Sequence, residues 1–149
     1  LSCCGWDLHM AEDVLQTTYV KVLSGAAKYG GKSSFRTWLF AVIRRTALEH
    51  QRRSRSREAG LRRWSRDVGG VATTEVEDPA VREARTARLL AALSKLPERQ
   101  SEVLHLVFYQ GLTIADAAEI MGVALGTART HYERGKRGLR AQLTEEVAR

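Results

Sequence analysis

Between Lys32 and Arg66 the chain sets eleven lysines and arginines against two carboxylates, Glu49 and Glu58, and the start of this run is interleaved with Tyr29, Phe35, Trp38 and Phe40. Cationic side chains grip a phosphate backbone and aromatic faces stack unpaired bases at about 1 to 3 kcal/mol each, so the pattern suits a separated nucleic-acid strand. Trp38 and Phe40 would serve equally well as core residues on an amphipathic helix. Phe35, nearest the polar loop, is the better stacking group. A second basic set, Arg129, Arg134, Lys136, Arg137 and Arg140, falls within twelve residues with only Glu133 opposing it. Arginine can read guanine bidentately in a major groove, whereas lysine and the later arginines suit phosphates.

Catalysis has much less to work with. Glu12-Asp13 is the only acidic pair near the first basic region, and adjacent helical residues point in different directions. His9, His50, His105 and His131 are scattered. A recombinase or nuclease would need an activated nucleophile or clustered carboxylates for metal ions. Cys3 and Cys4 are neighbours, a poor geometry for a disulfide, and only His9 stands near them as a further metal ligand. The expectation is a chain without a catalytic site, metal or cofactor.

The net charge of +7 gives a field that draws in polyanions, with nucleic acid as the leading partner. No apolar run approaches the roughly 18 residues of a spanning helix, and the N-terminus lacks the layout of a secretory signal, so a cytoplasmic location without membrane insertion is expected. A length of 149 residues fits one ordinary domain or two small ones.

The elements that must hold these residues read as helices throughout, an all-α fold. A first helix is predicted from Ala11 to about Ala27, with Val14, Tyr19, Val22 and Leu23 on its apolar side. Ser34 caps a second, whose stripe is Trp38, Leu39, Val42, Ile43 and Ala47. The arginine-rich stretch from Arg52 repels itself and is expected to be only partly helical. Asp78-Pro79 starts a third helix with Val81, Leu89, Leu90, Leu93 and Leu96 inward. A fourth carries Val103, Leu104, Val107 and Phe108 up to Gly111. Two small helical domains follow, 1–56 and 78–149, joined by a flexible linker over 57–77.

Within the second domain, Ile114 to Tyr132 has the layout of a helix-turn-helix. Ala118 sits where the two helices cross, Gly122 can take the left-handed conformation of the turn, and Val123 and Ala128 pack turn and second helix. Gly126-Thr127 opens that second helix, leaving Arg129, Thr130 and Arg134 to face a groove. An ordinary helical hairpin could share the layout, but here the basic face begins where the recognition helix begins.

Taken together these segments resemble the extracytoplasmic-function group of bacterial sigma factors, from Ala11 over nearly the whole chain. Ala11 to Gln16 is similar to that family's polymerase-binding helix, Ser33 to Leu39 to its promoter-melting segment, and Leu96-Pro97 with Gln100, Val103 and Leu104 to the start of its C-terminal domain. The resemblance implies a factor that binds core RNA polymerase and directs promoter-specific transcription initiation, with promoter DNA and an anti-sigma factor as further partners. It places Asp13 and Gln16 on the polymerase. It places Lys32, Ser33, Ser34, Phe35, Trp38, Arg44 and Arg45 at the minus-ten element, Lys32 to Phe35 forming the loop that captures a flipped base. Thr127, Arg129, Thr130, Arg134, Lys136 and Arg137 fall at the minus-thirty-five element. Thr17, Arg45, Ala124 and Ala128 depart from the family's usual residues, and Leu1 to Met10 reads as a remnant of the helix that normally precedes Ala11. The competing reading is a stand-alone helix-turn-helix regulator of duplex DNA, which explains only the C-terminal half.

Overall fold

The computed structural model describes residues 2–5, 7–58 and 79–147, and every regular element among them is helical. A short 3-10 turn, Ser2–Cys4, precedes six α-helices: α1 (Leu8–Leu23), α2 (Phe35–Glu58), α3 (Pro79–Ser94), α4 (Glu98–Leu104), α5 (Ile114–Met121) and α6 (Leu125–Val147). All but the first two positions of the expected linker lie outside the described residues.

α1 starts earlier than its apolar spacing suggests, because Asp7 caps it by accepting the Met10 amide at 3.0 Å. It stops at Leu23 rather than Ala27, where Gly25 turns the chain at φ 75°. Its buried face is Ala11, Val14 and Thr18, and the Thr18 hydroxyl donates to the Val14 carbonyl at 2.7 Å. Tyr19 and Leu23, expected on the inner side, are instead 61% and 86% exposed. A residue one step along a helix is rotated by about 100°, so burying Thr18 turns Tyr19 outward.

α2 begins where Ser34 accepts the Thr37 amide at 3.1 Å. It remains helical through its basic end to Glu58, since arginine, glutamine and glutamate are strong helix formers and most of these charges reach water. Val42 and Ala47 of the predicted stripe are buried, while Trp38, Leu39 and Ile43 are half-buried. Lys21 ties α1 to α2 by donating to Thr46 at 3.2 Å and to Glu49 at 2.6 Å.

In the C-terminal half α3 starts at Pro79, and Leu90 and Leu93 are its buried leucines. α4 widens into a π-helical turn over His105–Tyr109. That turn brings Leu106 inward and leaves Phe108, a predicted core residue, 60% exposed and stacked on Tyr132 at 5.9 Å. α5 opens with a reciprocal capping box between Thr113 and Asp116, worth about 1 kcal/mol. It ends on Gly122 at φ 65°, as the left-handed turn requires.

One core cluster combines Val103, Leu106, Leu112, Ala117, Ile120 and Met121, and Phe40 and Ala41 of α2 pack against it. The two helical units therefore lie side by side, with α2 along α5. Cys4, Ala11, Val14 and Ala47 make a second cluster inside the N-terminal unit.

Candidate nucleic-acid interface

α6 displays the residues expected to face a groove because Ala128, fully buried, fixes its roll against the helix-turn-helix core. With Ala128 inward, Thr127, Arg129, Thr130, Arg134 and Arg137 are all exposed. Thr127, Thr130, Arg134 and Arg137 recur at intervals of three, four and three, so they form one continuous edge along the helix. The Thr130 hydroxyl is engaged with the Gly126 carbonyl at 3.0 Å, which leaves its methyl group and oxygen lone pairs for a ligand. Lys136 lies over the Tyr132 ring at 4.9 Å and 3.4 Å from Glu133, on a neighbouring edge.

At the start of α2 three aromatic rings meet. Tyr29 stands edge-on to Phe35 at 5.5 Å and 5.4 Å from Trp38, and Phe35 is 5.4 Å from Trp38. The Tyr29 hydroxyl donates to the Ser33 carbonyl, which pins the intervening loop. Phe35 is 53% exposed, so a ring face is open to a base, whereas Trp38 is half-buried beneath it. Lys32 and Ser34 are exposed beside this cluster and Ser33 is half-buried.

The remaining candidates do not all join it. Arg45 is exposed, but Arg44 is turned under the C-terminal unit, where its guanidinium meets Glu102 at 2.5 and 3.3 Å. Thr37 Oγ1 donates to Asp116 at 3.2 Å, and Arg36 donates to the Gln110 carbonyl. The sequence did not show that Arg36, Thr37 and Arg44 would meet Gln110, Asp116 and Glu102, since these partners lie far along the chain and leave no periodic trace. Asp13 and Gln16 are both exposed on α1, beside an apolar row of Leu8, Leu15, Tyr19 and Leu23.

Burial pushes His105 down to about 4. The Thr113 hydroxyl holds the Asp116 carboxyl below its usual range, and Lys21 does the same for Glu49. The Cys3 and Cys4 sulfurs stand 4.0 Å apart as free thiols. Donation from Cys4 brings Cys3 down to about 7, and Cys4 is raised in return. Among the described residues no group of three or more His, Cys, Asp or Glu side chains could hold a metal ion. No described helix is long and apolar enough to cross a membrane.

Comparison with known proteins follows the same division. The family model for sigma-70 region 2 matches residues 6–57, and that for sigma-70 region 4 matches residues 86–139. The RNA polymerase sigma factor YlaC of Bacillus subtilis is 31% identical over 140 residues, spanning 93% of this chain and 80% of that protein. The ECF RNA polymerase sigma factor SigC of Mycobacterium tuberculosis is 30% identical over 139 residues, spanning 91% and 71%. Among solved structures, the sigma factor RpoE in complex with the anti-sigma factor NepR from Bartonella quintana superposes with a TM-score of 0.72 at 24% identity, covering 96% of this chain and 88% of that one. Two helical units that match regions 2 and 4 in order, together with relatives of this identity along nearly the whole chain, show that it belongs to the extracytoplasmic-function group of RNA polymerase sigma factors.

Proposed function

We propose that this sigma factor divides promoter binding between a strand-holding surface on residues 1–56 and a duplex-reading surface on 78–149, with 57–77 as the connection. As a sigma factor it directs transcription initiation by RNA polymerase. Asp13 and Gln16 on the open face of α1 contact the polymerase. Lys32, Ser33, Ser34, Phe35, Trp38, Arg44 and Arg45 engage the minus-ten element, with a flipped base stacking on Phe35 and the unstacking cost offset by that contact. Thr127, Arg129, Thr130 and Arg134 read minus-thirty-five bases, while Lys136 and Arg137 neutralise phosphates. An anti-sigma factor is the expected regulatory partner. The chain contributes no catalytic group of its own and works in the cytoplasm, where the polymerase supplies the chemistry.

The observation that carries this reading is the three-ring cluster of Tyr29, Phe35 and Trp38, with Tyr29 and Phe35 exposed, beside exposed Lys32 and outside the helix-turn-helix. A regulator of duplex DNA has no use for it. The test is initiation by purified core polymerase with and without the chain on linear promoter templates. Specific transcripts only in its presence are expected. Failure to associate with core polymerase at low salt would end the proposal.

A further inference from the structure

The turn that precedes α1 sets two thiols on the wall of a cavity. Cys3 and Cys4 are the only cysteines of the chain, and their sulfurs stand 4.0 Å apart. The turn itself is tied down. Gln51 of α2 donates to the Cys3 carbonyl at 2.9 Å, the Asp7 amide donates to the Cys4 carbonyl at 3.2 Å, and Cys4, 3% exposed, packs with Ala11, Val14 and Ala47. Both cysteines border a cavity of about 280 Å³ whose other walls include Leu8, Leu15, Phe40, Leu106 and Ile120. Arg44 and Glu102 also border it, but their charges are paired with each other. An apolar cavity of about 150 Å³ is enough to hold benzene, so an organic group of that size has room beside the sulfurs.

We propose that Cys3 and Cys4 form a dithiol site for a monosubstituted trivalent arsenical, both sulfurs bonding the arsenic and the organic substituent lying in the cavity. Thiolate sulfur is a soft donor and selects soft, thiophilic centres. Ligand count and charge decide among them. Zinc takes at least three protein ligands, and among the described residues no group of three or more His, Cys, Asp or Glu side chains could hold it. A monovalent soft cation between two thiolates leaves a net negative charge against apolar walls, which is costly. Arsenic delivered as an arsenoxide, R–As=O, needs only two sulfurs and gives a neutral product.

Donation from Cys4 brings Cys3 down to about 7, which makes Cys3 the thiolate that attacks first. Two As–S bonds then form and the As=O bond breaks. The oxygen leaves as water with the two thiol protons, and no atom changes oxidation state.

The test treats the full chain with phenylarsine oxide and, separately, with inorganic arsenite, which carries no organic group. Intact-mass spectrometry follows each adduct as a competing monothiol, 2-mercaptoethanol, is raised. The same series on the urea-unfolded chain gives the intrinsic preference of an unstructured Cys-Cys pair. One phenylarsenic group per chain should form and resist the monothiol. Cys3→Ser and Cys4→Ser should each abolish that resistance, in urea as in the folded chain, so a variant that fails to fold still reports. Folding should raise the preference for phenylarsine oxide over arsenite by about tenfold, the lower end of what burying a phenyl-sized group provides. Leu15 is 41% exposed, and Leu15→Trp should fill the cavity, return the preference to its urea value and leave arsenite binding unchanged. Leu8→Trp, also at a 41% exposed wall position, should do the same and covers a misfolded Leu15→Trp. No adduct on the folded chain, or one that resists the monothiol in either cysteine variant, overturns the dithiol site. Equal preference in folded and unfolded chains, or an unchanged preference in both tryptophan variants, overturns the placement of the organic group in the cavity.

Discussion

The recognition helix is seated by two glycines three residues apart, and replacing each by alanine should separate what the neighbours can tolerate from what the helix prefers. Either change removes a glycine from the interior of α6, a gain of about 1 kcal/mol in helix propensity. At Gly135 the new Cβ would stand 3.0 Å from Leu104 Cδ1 and 3.2 Å from the Gln100 carbonyl oxygen. Leu104 is 1% exposed and the carbonyl belongs to a helix backbone, so neither yields without moving α4. Overpacking of this kind costs about 1 to 3 kcal/mol. At Gly138 the clash is closer, 2.7 Å, but it is with the single terminal atom Leu96 Cδ2 of a half-buried side chain. That leucine can turn at a cost of about 0.5 to 1.5 kcal/mol. Gly135→Ala should therefore destabilise by about 1 kcal/mol and Gly138→Ala should be near neutral, a difference of about 1 kcal/mol from which propensity cancels. Urea unfolding followed by far-ultraviolet circular dichroism, with equal slopes for both variants, measures it. A Gly138→Ala protein less stable than Gly135→Ala would show that contact distance, not the stiffness of the neighbour, sets the cost.

His105 should make stability depend on acidity. Burial holds its ring neutral down to about 4, while the unfolded chain takes up a proton from about 6.5. The contribution is whole above about 6.5 and lost as pH falls toward 4, worth up to about 3 kcal/mol across the interval, and His105→Gln should flatten urea midpoints over that range. Arg129→Ala should cost about 1 to 3 kcal/mol and relax preference at one base of the minus-thirty-five element. Equal loss on every promoter sequence, measured by competition binding, would make Arg129 a phosphate contact only. Phe35→Ala should impair strand opening by the holoenzyme more than duplex binding, and permanganate reactivity equal to that of the parent would remove Phe35 from melting.

Much of the site was legible because its determinants are local. Thr113 and Asp116 cap α5 through atoms three residues apart, Gly122 supplies the turn, and Ala128 is small where α6 must approach the core. Composition alone set Phe35 and Trp38 among cations and placed the second basic run on the recognition helix. The start of α3 at Pro79 was equally readable, since a proline at a helix N-terminus gives up no hydrogen bond.

Periodicity states which residues share a helix face, but the face that is covered depends on the neighbour that arrives. So α1 buried Ala11, Val14 and Thr18 and turned Tyr19 outward, and a π-helical turn carried Phe108 out of the core. The pairing of Arg44 with Glu102 lies further from sequence, because an ion pair across 58 residues has no spacing rule. The sequence by itself determined the helices, the turn and the two basic sets of side chains, since each follows from interactions within a few residues. Only the tertiary structure decided that α2 would lie against the C-terminal unit, because that contact depends on burial and charge pairing between segments far apart in the chain.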